Sequence, residues 1–381
     1  MRRSPWLPIL ILVALGLYLA PRDAGRPFEY NFDFNPLPRL QEPRELPGQV
    51  QDLFRKSRPA TVRVEQSSNV YGSPEAIGTG FFIDNKGTLL TAYHVIEGAK
   101  FLNVTTQSRQ RFRARVVGFD AARDVAVLQA ETRGTVPFLT LADRAPKTGE
   151  QVLAIGNSRQ QFLQPRRGRL LRLNAEAARA DFPQGTLEMS APLAPGDSGG
   201  PIIDSAGRAI GVVSYIRLAS NDIGAFSSPN DVQTLASYAV PITTVDQTVQ
   251  ALRRGEKRDV PALGIYGDSP HSYDTQGAVV ARVMPGSPAA RSGLRGEQAV
   301  PRRDANGEVV RDAQGNEVER LQADIIVAVD GQPTANFNEL LFQIRQKRVG
   351  DTVTLTVDRA GERLRVPVKL GAKGSINYEQ P

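Results

Sequence analysis

The chain has 381 residues, of which 40% are apolar and 23% charged, and it carries a formal charge of +7 at pH 7. That length exceeds what one hydrophobic core usually organises, and the composition excludes a disordered chain, so two folded domains are expected. There is no cysteine and only two histidines, His94 and His271. Disulfide frameworks, thiolate zinc sites, iron–sulfur clusters, cysteine nucleophiles and histidine-rich metal centres are therefore excluded. The 47 Lys and Arg against 40 Asp and Glu are spread along the chain. With no nucleic-acid module visible, this is a mildly basic surface, and no nucleic-acid partner is expected.

Residues 1–20 carry Arg2 and Arg3 ahead of a nearly unbroken apolar run from Trp6 to Ala20. The run is short for a membrane span and long for a signal-peptide core. Cleavage after Ala20 would place Tyr18 where a small residue is wanted, and arginines before the run favour a cytoplasmic N-terminus. The segment reads as an apolar helix serving as an uncleaved single-pass anchor in the cell membrane, with a cleaved signal as the alternative. Either sends the remainder out of the cytoplasm. Residues 21–48 hold Pro21, Pro27, Pro36, Pro38, Pro43 and Pro47 and read as an extended spacer.

Folded structure is expected from residue 49, where Val50, Leu53 and Phe54 have helical spacing. From Ala60 to Thr243 short apolar strands such as TVRVEQ, GTGFFID, TLLTA, DVAVLQA, EQVLAIG, TLEMSA and AIGVVSY alternate with glycine or polar turns. Strands this numerous argue for an antiparallel all-β domain over 49–255, closed by a helix in VDQTVQALRRG and ended at Gly255. A second domain follows over 258–373, with a short helix in SPAARSGL, a longer one in FNELLFQIRQKR, and a tail over 374–381. Its polar insertion, 296–322, contains the near repeat DANGEVV and DAQGNEVE. Two Gly-turn hairpins account for it, and the ligand spacing suits no calcium loop.

The string APGDSGGPI holds the chemistry. Ser198 lies on a Gly-flanked turn, which exposes its hydroxyl and frees backbone N–H groups to face one point, as an oxyanion hole requires. A nucleophilic serine needs a base near neutrality, and His94, just after the strand TLLTA, is the histidine in the same domain. The base needs a carboxylate. Asp124 stands directly before the apolar strand DVAVL and is preferred to its rival Asp120. The order His94, Asp124, Ser198 is that of chymotrypsin-like enzymes.

TAYHVIEG, RDVAVL, AIGNS and PGDSGGPIID resemble the corresponding motifs of the HtrA/Deg serine proteases, and ALGI, VMPGSPAARSGL and DIIVAVDG resemble a PDZ domain. The resemblance covers about residues 50–372. It implies a mainly β chymotrypsin-like double β-barrel followed by an α+β PDZ domain, in the membrane-anchored layout, and usually a homotrimer. It also implies an oxyanion hole from Gly196 and Ser198, and a substrate pocket from Leu193, Val213, Ser214 and Tyr215. Leu263, Gly264 and Ile265 would offer N–H groups to the terminal carboxylate of a captured peptide. No metal or cofactor is needed. Two departures stand out. Asp197 occupies a position that is usually Asn in the family. In digestive trypsin-like enzymes an Asp there pairs with a newly cut N-terminus, for which no equivalent is visible. The stretch SRQQFLQPRRGRLLR lacks the usual Pro-Phe-Gly turn. The expected activity is ATP-independent cleavage of unfolded or damaged extracytoplasmic proteins. The alternatives are a peptide-sensing chaperone on a protease fold and a protease dedicated to one membrane substrate.

Overall fold

The computed structural model describes residues 46–69, 72–159, 161–176, 183–218, 234–267 and 276–376. The expected anchor at 1–20, nearly all of the spacer, His271 and the last five residues of the tail lie outside them. Two compact units divide between Arg258 and Asp259.

In the first unit, helix α1 (Gly48–Ser57) precedes six antiparallel strands: β1 (Thr61–Ser67), β2 (Ala76–Phe82), β3 (Thr88–Thr91), β4 (Phe101–Thr105), β5 (Arg111–Asp120) and β6 (Val125–Ala130). They run in the order β5-β4-β1-β2-β3-β6, and pairing of β5 with β6 closes the barrel. The β2–β3 hairpin is tight because the Asp84 carboxylate accepts from the N–H groups of Lys86 and Thr88. Val62, Val64, Phe82, Leu89, Val104 and Leu128 fill the interior. Every residue of β1 is buried. Its polar Glu65 is satisfied by Arg63, by Arg111 and by the Thr105 hydroxyl at 3.3, 3.0 and 3.2 Å.

Strands β7 (Gln151–Gly156), β8 (Gln164–Ala175), β9 (Thr186–Met189), β10 (Pro201–Ile203), β11 (Ala209–Leu218) and β12 (Thr234–Pro241) form a second closed barrel, in the order β10-β11-β12-β9-β8-β7. The fold is therefore mainly β, a chymotrypsin-like double barrel. Phe81, Leu90 and Val127 of the first barrel share one core with Leu153, Ile155, Val212 and Val240 of the second. Helix α2 (Gln247–Arg253) is capped by the Asp246 carboxylate, which accepts from Thr248 and Val249. Gly255 at φ +99° ends that helical segment. The chain then adds β13 (Lys257–Arg258) in parallel beside Phe119 and Asp120 of β5.

The second unit is a PDZ-like α+β domain. Its short strands are β14 (Pro261–Ala262), β15 (Ile265–Tyr266), β16 (Ala278–Val279) and β17 (Arg282–Val283), followed by helix α3 (Pro288–Arg291). In the insertion, β18 (Gln298–Pro301) pairs with β19 (Glu319–Gln322). Within it Asp304 accepts from the N–H groups of Asn306 and Glu308, and Asp312 accepts likewise from Gln314 and Asn316. The near repeat in sequence is thus two copies of one turn. After β20 (Asp324–Val329) and β21 (Gln332–Pro333) come helix α4 (Phe337–Arg345), β22 (Thr352–Arg359), β23 (Glu362–Lys369) and β24 (Gly371–Ala372). Ile326, Leu340, Ile344, Leu355 and Val357 form a core separate from those of the barrels.

Candidate active site

His94 sits in a single 3₁₀ turn, Tyr93–Val95, immediately after β3. Tyr93 stacks on Phe119 with ring centroids 4.7 Å apart, which fixes the turn against β5. Asp124 stands at the foot of β6 with φ +56°, a left-handed conformation that aspartate tolerates better than most residues. Its Oδ1 accepts the backbone N–H of His94 at 2.9 Å, and its Oδ2 lies 2.8 Å from His94 Nδ1. With Asp124 ionised, Nδ1 is the donor, so Nε2 keeps its lone pair for a proton. Burial alone would push the Asp124 carboxyl upward. The His94 ring and the hydrogen bonds from His94 and Ser214 outweigh this and hold it below the ordinary range. Asp120, the rival carboxylate, is engaged elsewhere: it accepts from the Arg123 N–H and pairs with Arg258 at 3.3 Å.

Ser214, one of the expected pocket residues, donates its hydroxyl to Asp124 Oδ2 at 2.5 Å. The register of β11 against β12 slips between Val213 and Ile216, and Ser214 falls in that irregularity. A bulge of this kind re-aims a side chain, and a strand reading does not reveal it. Leu193 and Val213 pack in the core of the second barrel, and Tyr215 stacks on Tyr238 with centroids 4.4 Å apart. The nearby acid Glu188 accepts from Arg172 Nε at 2.7 Å.

The turn carrying Ser198 is held by both barrels. The Ser198 carbonyl accepts from Thr79 N–H of β2 at 2.8 Å, while Gly199 N–H donates to the Val213 carbonyl of β11 at 2.8 Å. The Gly196 carbonyl accepts the Thr79 hydroxyl at 2.7 Å. A Cβ on Gly199 would come within 2.1 Å of the Thr79 carbonyl and 2.2 Å of the Thr91 hydroxyl, so this approach demands glycine. Among the described residues no acceptor takes the N–H of Gly196 or of Ser198. Two uncommitted N–H groups, one of them the serine's own, are donors of the kind an oxyanion needs.

Asp197, between them, is buried at 1% exposure. Its carboxylate accepts from Ser158 N–H (3.0 Å), the Ser158 hydroxyl (2.7 Å) and Ala194 N–H (3.1 Å). Arg166 Nε of β8 stands 3.8 Å away. Burial raises the Asp197 pKa, and Arg166 and the hydrogen bonds offset it only in part. No local feature of the sequence names a partner for this charge. The usable signal was the demand itself, since a buried acid calls for a cation.

In the second unit, Gly264 has φ +78°, and a Cβ there would lie 2.3 Å from Ser287 Cβ. The Leu263 and Gly264 carbonyls accept from Ala289 and Met284 at 2.8 and 2.9 Å. Their own N–H groups have no acceptor among the described residues. Ile265 pairs with Val283 across β15 and β17.

Comparison with known proteins agrees in both units. Residues 78–212 match the family model of a trypsin-like peptidase domain and residues 261–370 that of a PDZ domain. The chain is 31% identical to Protease Do-like 1, chloroplastic, of Arabidopsis thaliana, over 84% of its own length and 71% of that protein's. It is 26% identical to the serine endoprotease DegS of Escherichia coli (strain K12), over 88% and 90% of the two chains. A solved HtrA-type protease, AlgW with tripeptide, aligns at 22% identity with a TM-score of 0.49, over 86% of this chain and 98% of that one.

Proposed function

The chain belongs to the HtrA/Deg serine proteases, and on that premise we propose that it cleaves unfolded or damaged proteins outside the cytoplasm, with Ser198, His94 and Asp124 as its catalytic triad. Ser198 Oγ attacks the scissile carbonyl carbon while His94 Nε2 accepts its proton. The N–H groups of Gly196 and Ser198 stabilise the oxyanion. His94 then protonates the leaving amine, and water, activated by the same ring, hydrolyses the acyl-enzyme and restores Ser198. Asp124 holds the ring and offsets the imidazolium charge. The PDZ domain captures protein C-termini at Leu263, Gly264 and Ile265. The apolar N-terminal segment anchors the chain in the cell membrane with both domains outside the cytoplasm, and three copies associate.

The observation that carries the reading is the buried His94–Asp124 pair at 2.8 Å, with a second donor, Ser214, on the same carboxylate. Such a pair in one unit with a Gly-flanked serine has the composition of an activated nucleophile. A fluorophosphonate probe tests it, because it labels only an activated serine. Labelling of the wild type that Ser198→Ala abolishes is expected. A folded wild type that stays unlabelled with and without C-terminal peptides would instead favour the peptide-sensing chaperone.

A further inference from the structure

We propose that Arg166 is a positioning residue for the oxyanion turn, its guanidinium serving as the built-in counter-charge to Asp197 and holding the Gly196–Ser198 backbone in register. This deepens the protease reading and rests on it.

Asp197 cannot move aside. A Cβ on Gly156 would come within 2.1 Å of its Oδ1, so β7 is pressed directly against the carboxylate. Its three hydrogen bonds tie the turn to Ala194 on one side and to Ser158 in the β7–β8 loop on the other. All three donate to the carboxylate, so a protonated Asp197 would lose acceptor capacity that the turn uses. Burial favours that protonated form. The opposing charge comes from β8. Arg166 lies across from Ala154 in the β7–β8 register, and its side chain is only 11% exposed. Its Nε faces Asp197 Oδ2 at 3.8 Å. Its Nη2 donates at 3.1 Å to the Ser158 hydroxyl, which itself donates to Asp197. The guanidinium thus acts on the carboxylate both through space and through Ser158. Gln161 Oε1 and the Pro165 carbonyl hold it in place at 2.9 and 3.1 Å. Arg159 on the same loop acts on Arg166 with like charge. Because arginine is a permanent cation, no cut in the chain is needed to supply this charge.

The test compares full-length wild type with Arg166→Met, Arg166→Lys and the double variant Arg166→Met/Asp197→Asn. The readouts are kcat and KM on fluorescent casein and the rate of Ser198 labelling by a fluorophosphonate. Arg166→Met should lower kcat and labelling about tenfold or more, with KM within about twofold, because the loss falls on oxyanion donors. Lysine should restore part of the rate. The double variant should restore most of it, since a neutral Asn needs no cation. A purely structural Arg166 would gain nothing from Asp197→Asn. Full kcat in Arg166→Met, or a folded double variant as slow as Arg166→Met, overturns the proposal. Should Arg166→Met fail to fold, the folded double variant still decides: near-wild-type kcat supports the pairing, and a dead enzyme discards it. If the wild type cuts casein and Ser198→Ala does not, while Arg166→Met is indifferent, only the role of Arg166 falls. A wild type that is never labelled removes the protease reading beneath it.

Discussion

The Asp124 carboxylate accepts from the His94 backbone, the His94 ring and the Ser214 hydroxyl, so it fixes the position of the imidazole as well as its tautomer. Asp124→Asn presents an N–H where the ring needs an acceptor, and kcat on casein should fall about 10³–10⁴-fold while the protein stays folded. The same carboxyl predicts a pH effect on stability. Its pKa is depressed in the native state, so the native protein takes up this proton later than the unfolded chain, where Asp titrates near about 3.9. The stability it contributes is complete above that value and is lost as pH falls through the depressed native value. In thermal melts the gap in Tm between wild type and Asp124→Asn should narrow as pH drops from about 6 to about 3. A gap independent of pH would show that Asp124 is not ionised in the native state. Substrate choice is also set at this scale. The stretches Ser190–Ala194 and Val212–Tyr215 contain no acid, Glu188 is committed to Arg172, and Asp197 to Ser158 and Arg166. A substrate Lys or Arg would be desolvated there without a countercharge, at a cost of several kcal/mol. Cleavage after Val, Ala or Leu is expected when sites on an unfolded protein are profiled by mass spectrometry, and dominant cutting after Arg or Lys would contradict it.

The segments that hold the site in place lie at the ends of elements. Asp246 caps α2 and also forms a bidentate pair with Arg123, at 3.1 and 3.0 Å, next to Asp124 in sequence. Asp246→Ala removes the cap and the ion pair together. It should cost about 1–2 kcal/mol in urea unfolding, with a smaller effect on kcat than Asp124→Asn. A loss of activity without loss of stability would mean that Arg123, rather than the helix, is the group that matters. The end of α2 was legible in sequence, because a terminal Gly is a local signal. The His94–Asp124 pair was legible because a base near neutrality and its carboxylate restrict the residue types. The Ser214–Asp124 bond was not, since it depends on a register slip between β11 and β12 that alternation conceals. Arg166 was hidden for a different reason. It lies far along the chain from Asp197, and only the pairing of β10 with β7, which closes the second barrel, brings the β7–β8 hairpin beside the turn that precedes β10.

Across the whole chain the two units keep separate cores, one built around Phe81, Ile155 and Val212 and the other around Ile326, Leu340 and Leu355. Each core is closed by its own sheets, so calorimetry should resolve two unfolding transitions, and a substitution confined to one unit should move one of them. Gly264 provides the test. The Leu263 and Gly264 carbonyls are tied by Ala289 and Met284 N–H groups, while the Leu263 and Gly264 N–H groups have no acceptor among the described residues. That is a loop suited to a terminal carboxylate. At φ +78°, with Ser287 Cβ only 2.3 Å from where a methyl group would sit, Gly264→Ala must displace the loop. It should weaken binding of a C-terminal peptide about tenfold or more, as should amidation of the same peptide on the wild-type protein, because both remove the match between N–H groups and carboxylate. Only the transition of the second unit should shift. Basal cleavage of a short peptide too small to engage the PDZ domain should stay within about twofold of wild type, since Gly264 belongs to the second unit, whose core is its own. Unchanged affinity for the free-acid peptide in Gly264→Ala, or equal affinity for acid and amide in the wild type, would contradict capture by this loop.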